Sequence, residues 1–372
     1  MSPQPDRPAT QRLLDVIRGR FAPGQDHQEG ETSTGAASQG FPPVPGEEGL
    51  LLSRSLAPRS WLRGRVRVGL DIGTQVAKMV RLERSGRGFR VLQVGLCWDS
   101  AEASSESAVR GPKIEAVSAL LRDSRGLPII TSVRDPSTLV RQIGFPRMPA
   151  RELARAMEFE ARKHMPYDPR RMLLRYQVLS EDRRGGTCQV LLVAVSKEAL
   201  EAHRSLLDRL GLEPSAIDVT PLALANSCIL AAGDPEETTV VLDLGSSGPV
   251  MAIYRRAGMF FSRYLPVAGW EAAEPASGQE STAWEELVVE VRRSLAYYDN
   301  LTGRMGFARV LLAGGGAMRE GIVGYLQERL GIQVGLLDPA PALQWEDGGP
   351  GEEWIRKLAP LWAQAAGQAA RY

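Results

Sequence analysis

The chain has 372 residues, 43% apolar and 24% charged, enough to bury a sizeable core and to divide into more than one lobe. Its 45 basic and 44 acidic side chains leave a net charge of +1, without the basic excess that gathers around a phosphodiester backbone, so nucleic acid is a poor partner. Cys97, Cys188 and Cys228 lie far apart and outside any CxxC pair, which argues against a zinc site and for a reducing compartment.

From Met1 to Arg65 there are eight prolines and eight glycines with few branched or aromatic residues, a composition that cannot offset its own ordering entropy. This stretch reads as a disordered tail and carries no secretory signal pattern. Inside it, Leu13, Leu14, Val16, Ile17 and Phe21 alternate with Arg12, Arg18 and Arg20, the pattern of a short amphipathic helix for a membrane surface or partner; a plain tail is the simpler reading.

Val66 to Leu70, Val76 to Leu82 and Phe89 to Trp98 are apolar runs separated by turn residues, which predicts a three-stranded meander. A helix is expected at Ile114 to Leu121 and a strand at Ile129 to Val133. The order then changes to strand (Leu139 to Ile143), helix (Ala150 to His164), two strands (Leu173 to Leu179, Gln189 to Val195) and helix (Lys197 to Leu210), an α+β unit of its own. Val219 to Gly233 is weakly polar but too short and interrupted to span a membrane. A second meander follows at Thr239 to Leu242, Val250 to Tyr254 and Phe260 to Pro266. Beyond it come a long helix (Glu285 to Asn300), a strand (Val310 to Ala313), three glycines and a helix from Met318 to Leu330.

The two meanders align without a gap. Leu70, Asp71, Ile72, Gly73 and Thr74 match Leu242, Asp243, Leu244, Gly245 and Ser246, an internal duplication that implies two similar halves facing a shared cleft. Each turn has the parts of a phosphate grip, since glycine lets the backbone approach, amides point inward, and a hydroxyl adds a donor. Asp71 and Asp243 are placed to hold a magnesium ion through its waters, and Lys78 to balance phosphate charge. Gly314, Gly315 and Gly316 would let the backbone pass close to a base and ribose. Glu290 and Arg293, one helical turn apart, would either reach the same ligand or form a solvated ion pair. Each turn alone is an ordinary hairpin; the pairing, Lys78 and the triple glycine together make the case. His27, His164 and His203 stand alone and read as surface or helix-end residues. No Walker-type or dinucleotide glycine pattern occurs, and no nucleophile, base and orienter set can be assembled.

These residues resemble the actin-like ATPases: Asp71, Gly73, Thr74 and Lys78 are similar to the phosphate 1 motif, Asp243, Gly245 and Ser246 to phosphate 2, and Gly314 to Gly316 to the adenosine motif. Within that class, the runs Glu158 to Tyr167 (EFEARKHMPY), Arg175 to Leu179 (RYQVL) and Val291 to Tyr298 (VRRSLAYY) resemble the type IV pilus assembly protein PilM family. The resemblance implies an α/β, actin-like ATPase fold of two ribonuclease H-like lobes around a central nucleotide cleft. Residues 66–137 and 215–237 would form the first lobe, 138–214 an inserted 1C-type subdomain as in the relative FtsA, 238–340 the second lobe, and 341–372 a C-terminal helical segment. It further implies a scaffold, cytoplasmic at the inner face of the inner membrane, that binds ATP and Mg and grips the cytoplasmic N-terminal tail of a PilN-like partner, with further contacts to the pilus motor. Two other readings stay open, a nucleotide-free scaffold similar to the secretion protein GspL and a small-molecule kinase, which would need a carboxylate base.

The chain departs from the family pattern in three places. Pro275, Ser277 and Gly278 stand where helical residues are usual, Ser246, Ser247, Gly248 and Pro249 continue the second turn without a threonine, and Thr220 sits about where a water-orienting glutamine or acid is expected. ATP binding is accordingly expected more than hydrolysis.

Overall fold

The computed structural model describes residues 66–98 (except 87), 114–164, 168–255 (except 183 and 233–236), 260–270 (except 269), 279–345 (except 304 and 305) and 352–371. The proline-rich tail and the Pro275 to Gly278 departure lie outside them.

Strands β1 (Val66–Ile72), β2 (Val76–Ser85) and β3 (Gly88–Trp98) form the first meander, followed by α1 (Ile114–Leu120) and β4 (Ile129–Val133). Next come β5 (Leu139–Pro146), α2 (Ala150–His164), β6 (Met172–Asp182), β7 (Thr187–Ser196), α3 (Lys197–Arg209), β8 (Ala216–Val219) and α4 (Thr220–Ala232). The second half holds β9 (Thr239–Gly245), β10 (Gly248–Tyr254), β11 (Phe260–Tyr264), α5 (Gln279–Thr302), β12 (Arg309–Ala313), α6 (Ile322–Leu330), β13 (Gln333–Leu336), α7 (Glu352–Lys357) and α8 (Ala359–Ala369).

The first sheet has the order β3-β2-β1-β4-β8. The second runs β13-β12-β9-β10-β11 and then continues into β5-β7-β6. In both halves an antiparallel meander is extended by two strands parallel to its first strand, so the duplication seen in the turns is a duplication of topology. Two ribonuclease H-like lobes in one chain make the actin-like ATPase fold.

The central strands are apolar on both faces, as strands covered on both sides must be. All five residues of β4 are buried, and Val68 and Leu70 of β1 and Val240, Val241 and Leu242 of β9 are fully so. Helix α3 starts at Ser196, whose hydroxyl accepts from the Ala199 N–H at 3.2 Å, satisfying one of the donors a helix start leaves unpaired. The expected continuous helix from Met318 is two elements instead, a 3-10 turn over Gly315–Met318 and then α6. Gly321 intervenes at φ 82°, a left-handed conformation that no helix continues through.

The inserted unit of β5, α2, β6 and β7 has its own core, with Leu153, Met157 and Ala161 of the helix packed on Leu174, Val190 and Leu192 of the strands. Its sheet joins the second lobe, where Arg141 of β5 stands in register with Phe261 of β11. On the first lobe, the outer rim of the equivalent strand β3 is met, among the described residues, by Gln344, through Val91 N–H to Gln344 O at 2.8 Å and Gln344 N–H to Phe89 O at 2.9 Å. Helix α3 straddles the boundary. Its start is tied to the inserted unit by Lys197 Nζ to Arg170 O at 2.9 Å, while His203 bonds Thr131 of β4 at 3.2 Å.

Helix α8 returns to the middle of the molecule. Its small residues let it lie between the first sheet and α4: a Cβ on Gly367 would sit 1.9 Å from Ala223 O, a separation only glycine permits. Among the described residues no helix is long and apolar enough to cross a membrane.

Candidate functional site

A cleft of about 680 Å³ lies between the lobes, and both duplicated turns open onto it. Asp71 ends β1 opposite Lys78 of β2. That register puts the Lys78 ammonium 2.9 Å from Asp71 Oδ2, and the other carboxylate oxygen accepts from Gln364 Nε2 at 3.0 Å. Gly73 closes the turn with its N–H on Val76 O at 3.1 Å. A Cβ there would meet the Lys78 Nζ at 2.8 Å, so glycine leaves room for the lysine.

Asp243 ends β9 in the same way, but its cross-strand neighbour is Val250. Its counter-charge is Arg134, at the end of β4 in the opposite lobe, which forms an ion pair with it. Arg134 Nη1 also donates to Gly248 O at 2.9 Å. Asp243 is 3% exposed, and a buried carboxylate needs such a partner. Thr74 and Ser246 meet across the cleft with their hydroxyls hydrogen-bonded.

The triple glycine is divided in its work. A Cβ on Gly314 would lie 2.4 Å from Asp243 Oδ1, and one on Gly316 would lie 2.8 Å from Leu244 Cβ. These two glycines are required by close packing on the second turn, whereas Gly315 has only Leu361 within 4 Å, at 3.8 Å. Beside them Trp270 Nε1 donates to Gly245 O at 2.7 Å, and the Arg319 guanidinium lies over the Trp270 ring at 5.4 Å.

Asp71, Gly73, Thr74, Lys78, Asp243, Gly245, Ser246, Gly314, Gly315 and Gly316 all line this one cleft. Glu290 and Arg293 do not. They pair with each other at 2.6 Å on α5, and Glu290 also takes Arg263 at 3.2 Å, the ion-pair alternative allowed for them. Thr220 is buried, its hydroxyl on Val133 O at 3.4 Å, and is not among the lining residues.

Arg134, Gln364, Trp270, Arg319 and His203 also face the cleft, though sequence reasoning missed the first four and placed His203 on a surface or helix end. Burial lowers the His203 pKa below its ordinary value, against an opposing pull from the Asp71 charge. The arrangement as a whole can bind a polyanion, with two hydroxyls and two cations at one end and an arginine-tryptophan surface beside the closely packed glycines at the other.

A family model described as type IV pilus assembly protein PilM matches residues 69–275 and 283–372. The chain belongs to the PilM family. Among solved structures, a "PilM-PilN type IV pilus biogenesis complex" superposes with a TM-score of 0.66 at 24% identity, covering 82% of this chain and 97% of that one. The ethanolamine utilization protein EutJ from Carboxydothermus hydrogenoformans gives a TM-score of 0.40 at 15% identity, covering 82% and 90%. The cytoplasmic domain of EpsL from the type II secretion system of Vibrio cholerae gives 0.39 at 11%, covering 79% and 94%. PilM membership places the chain in type IV pilus assembly; the two remoter likenesses add nothing to that.

Proposed function

We propose that this PilM-family chain is an ATP-binding scaffold of type IV pilus assembly, which grips the cytoplasmic N-terminal tail of a PilN-like inner-membrane protein and is held at the inner face of that membrane through its partners. The observation that carries the nucleotide part is the convergence of both duplicated Asp-apolar-Gly turns on one cleft, their hydroxyl residues in contact across it. The phosphates would lie against the Gly73 and Gly245 turns and take the hydroxyls of Thr74 and Ser246 and the Lys78 ammonium. The base and ribose would lie along Gly314 to Gly316. Asp71 and Asp243 would hold magnesium through its waters. Bound magnesium would supply charge neutralisation at the phosphates.

The partner assignment is supported by family membership and by the PilM-PilN complex among the similar structures. Its groove would lie between the first lobe and the inserted unit of β5 to β7. Bound nucleotide would order the two lobes and set the affinity for that peptide. Turnover would be slow or absent, because Thr220, about where a water-orienting glutamine or acid is expected, is buried and outside the cleft lining.

Titration calorimetry with ATP and magnesium, on the full chain and on Asp71→Asn, tests the nucleotide part: heat is expected from the wild type and at least tenfold weaker binding from the variant. A second reading, a scaffold without nucleotide, is favoured by one feature, that both aspartates are already neutralised from within by Lys78 and Arg134. Absence of binding by the wild type would select it.

A further inference from the structure

The two halves align without a gap through the Asp-apolar-Gly turns and part at the position where the first lobe has its cation. Lys78 on β2 faces Asp71; its counterpart on β10, facing Asp243, is Val250. At the matching cross-strand position the second lobe therefore has no basic residue to oppose its aspartate.

Arg134 fills that role from the other lobe. It follows β4 directly, and its backbone is fixed by its neighbour. The Asp135 N–H donates to the Tyr264 hydroxyl at 2.8 Å, and the Asp135 carboxylate accepts from the N–H groups of Ser137 and Ser196, both at 3.1 Å. From this anchor the guanidinium reaches Asp243 and Gly248 O. It also lies against the turn, with its atoms 3.0–3.2 Å from where a Gly245 Cβ would stand. The side chain is 23% exposed and lines the cleft, so it can meet a ligand without leaving its socket. Its planar fork suits a phosphate as well as a carboxylate.

We infer that Arg134 is the second polyphosphate-binding cation of the cleft, supplying at the Asp243 turn the positive charge that a metal ion would otherwise have to supply, so that a triphosphate binds without a divalent cation. Two basic residues, Lys78 within its lobe and Arg134 across the lobes, then flank the phosphate chain. Among the described residues no cluster of three or more His, Cys, Asp or Glu side chains stands ready for a metal, and both carboxylates have a cationic partner already. Magnesium adds to this binding and is not its prerequisite. The inference rests on the nucleotide reading above.

The test is equilibrium binding of ATP, and separately of inorganic tripolyphosphate, to the full chain with magnesium and with excess EDTA, for the wild type, Arg134→Ala and Arg134→Lys. Circular dichroism and thermal melting show that each variant is folded. The expected result is wild-type affinity in EDTA within about threefold of that in magnesium, and a loss of about tenfold or more in EDTA for Arg134→Ala, the loss of one charge-assisted contact. Magnesium should restore most of the Arg134→Ala affinity, since the metal's charge then replaces the guanidinium's at the phosphates, and Arg134→Lys should fall between. Wild-type binding abolished by EDTA, or an Arg134→Ala profile matching the wild type, overturns the inference and leaves nucleotide binding standing. No binding of either probe by any protein in any condition overturns both.

Discussion

Gly69 of β1 lies directly beneath Ala365 of α8, so close that a Cβ on the glycine would be 1.9 Å from the Ala365 carbonyl oxygen. The contact is backbone on backbone and cannot be relieved by a side-chain rotation. It seats the last helix against the strand that carries Asp71.

Gly69→Ala should therefore push α8 off the sheet. Overpacking of this kind costs about 1–3 kcal/mol, and the cost should appear as a lower urea midpoint with an unchanged slope. Gly324→Ala, at an exposed helical position with nothing within 4 Å of the added methyl, is the control and should leave the midpoint unchanged or raise it. A Gly69→Ala midpoint equal to wild type would mean that α8 does not seat there.

Gln364 links the same helix to the cleft. Its amide donates to Asp71 Oδ1 and to Ser132 Oγ, both at 3.0 Å, and Gln368 supports Ser132 at 2.8 Å. Gln364→Leu keeps the volume but leaves Asp71 Oδ1 without its donor and Ser132 Oγ with Gln368 alone, at a cost of about 1–3 kcal/mol in stability. Gln364→Glu should be worse, because it sets a second carboxylate beside Asp71. Chemical denaturation of the two variants gives the order, and Gln364→Leu being the weaker of the two would contradict the network.

Acid should weaken the fold through His203. Burial holds its pKa below the ordinary 6.5, so between that folded value and 6.5 the unfolded chain binds more protons than the folded one. The His203 contribution is complete above pH 6.5 and drains away as pH falls through that value towards the folded one. Stability curves from pH 8 to pH 5 should be flatter for His203→Asn than for the wild type; an unchanged slope would remove His203 from the account.

At the alkaline end Tyr298 is the informative residue. It is 3% exposed, packed 5.8 Å from Phe307 and 6.1 Å from Phe261 by ring centroids, and its hydroxyl has no hydrogen-bond partner among the described residues. Burial pushes its pKa up to about 12, so its stabilising share is present below pH 10 and is lost as pH rises through 12. Tyr298→Phe should be neutral or more stable by up to about 1 kcal/mol at pH 7 and should lose less stability between pH 10 and pH 12. Denaturant titrations at the two ends of that range check both statements.

The residues that could be read from sequence are those whose partners are near in the chain or repeated in it. Asp71, Gly73 and Lys78 are cross-strand neighbours in one hairpin, and the gapless copy at Asp243 announced the second turn. Arg134 could not be found that way, because its partner is 109 positions on in another lobe and a lone arginine after a strand carries no pattern. Gln364 was hidden for a different reason: α8 is buried on nearly every side, so its sequence has no polar face to set the buried glutamines apart. The reading of Val219 to Gly233 as a weakly polar stretch, where helix α4 (Thr220–Ala232) forms, has the same origin, a helix buried on most sides having little periodicity. Glu290 and Arg293 had a pattern, the one-turn spacing, but spacing fixes only that they meet and not which face of the lobe they meet on.

The outer strands β3 and β11 occupy the same place in the two halves of the duplication, yet among the described residues one is met by Gln344 and the other continues into three more strands. A bare strand rim is a template for any extended chain that can offer matching amides and carbonyls. Here the protein's own backbone takes the β11 rim through β5 and one stretch of the β3 rim, at Phe89 and Val91, through Gln344, so the two edges that the duplication made alike are put to different uses.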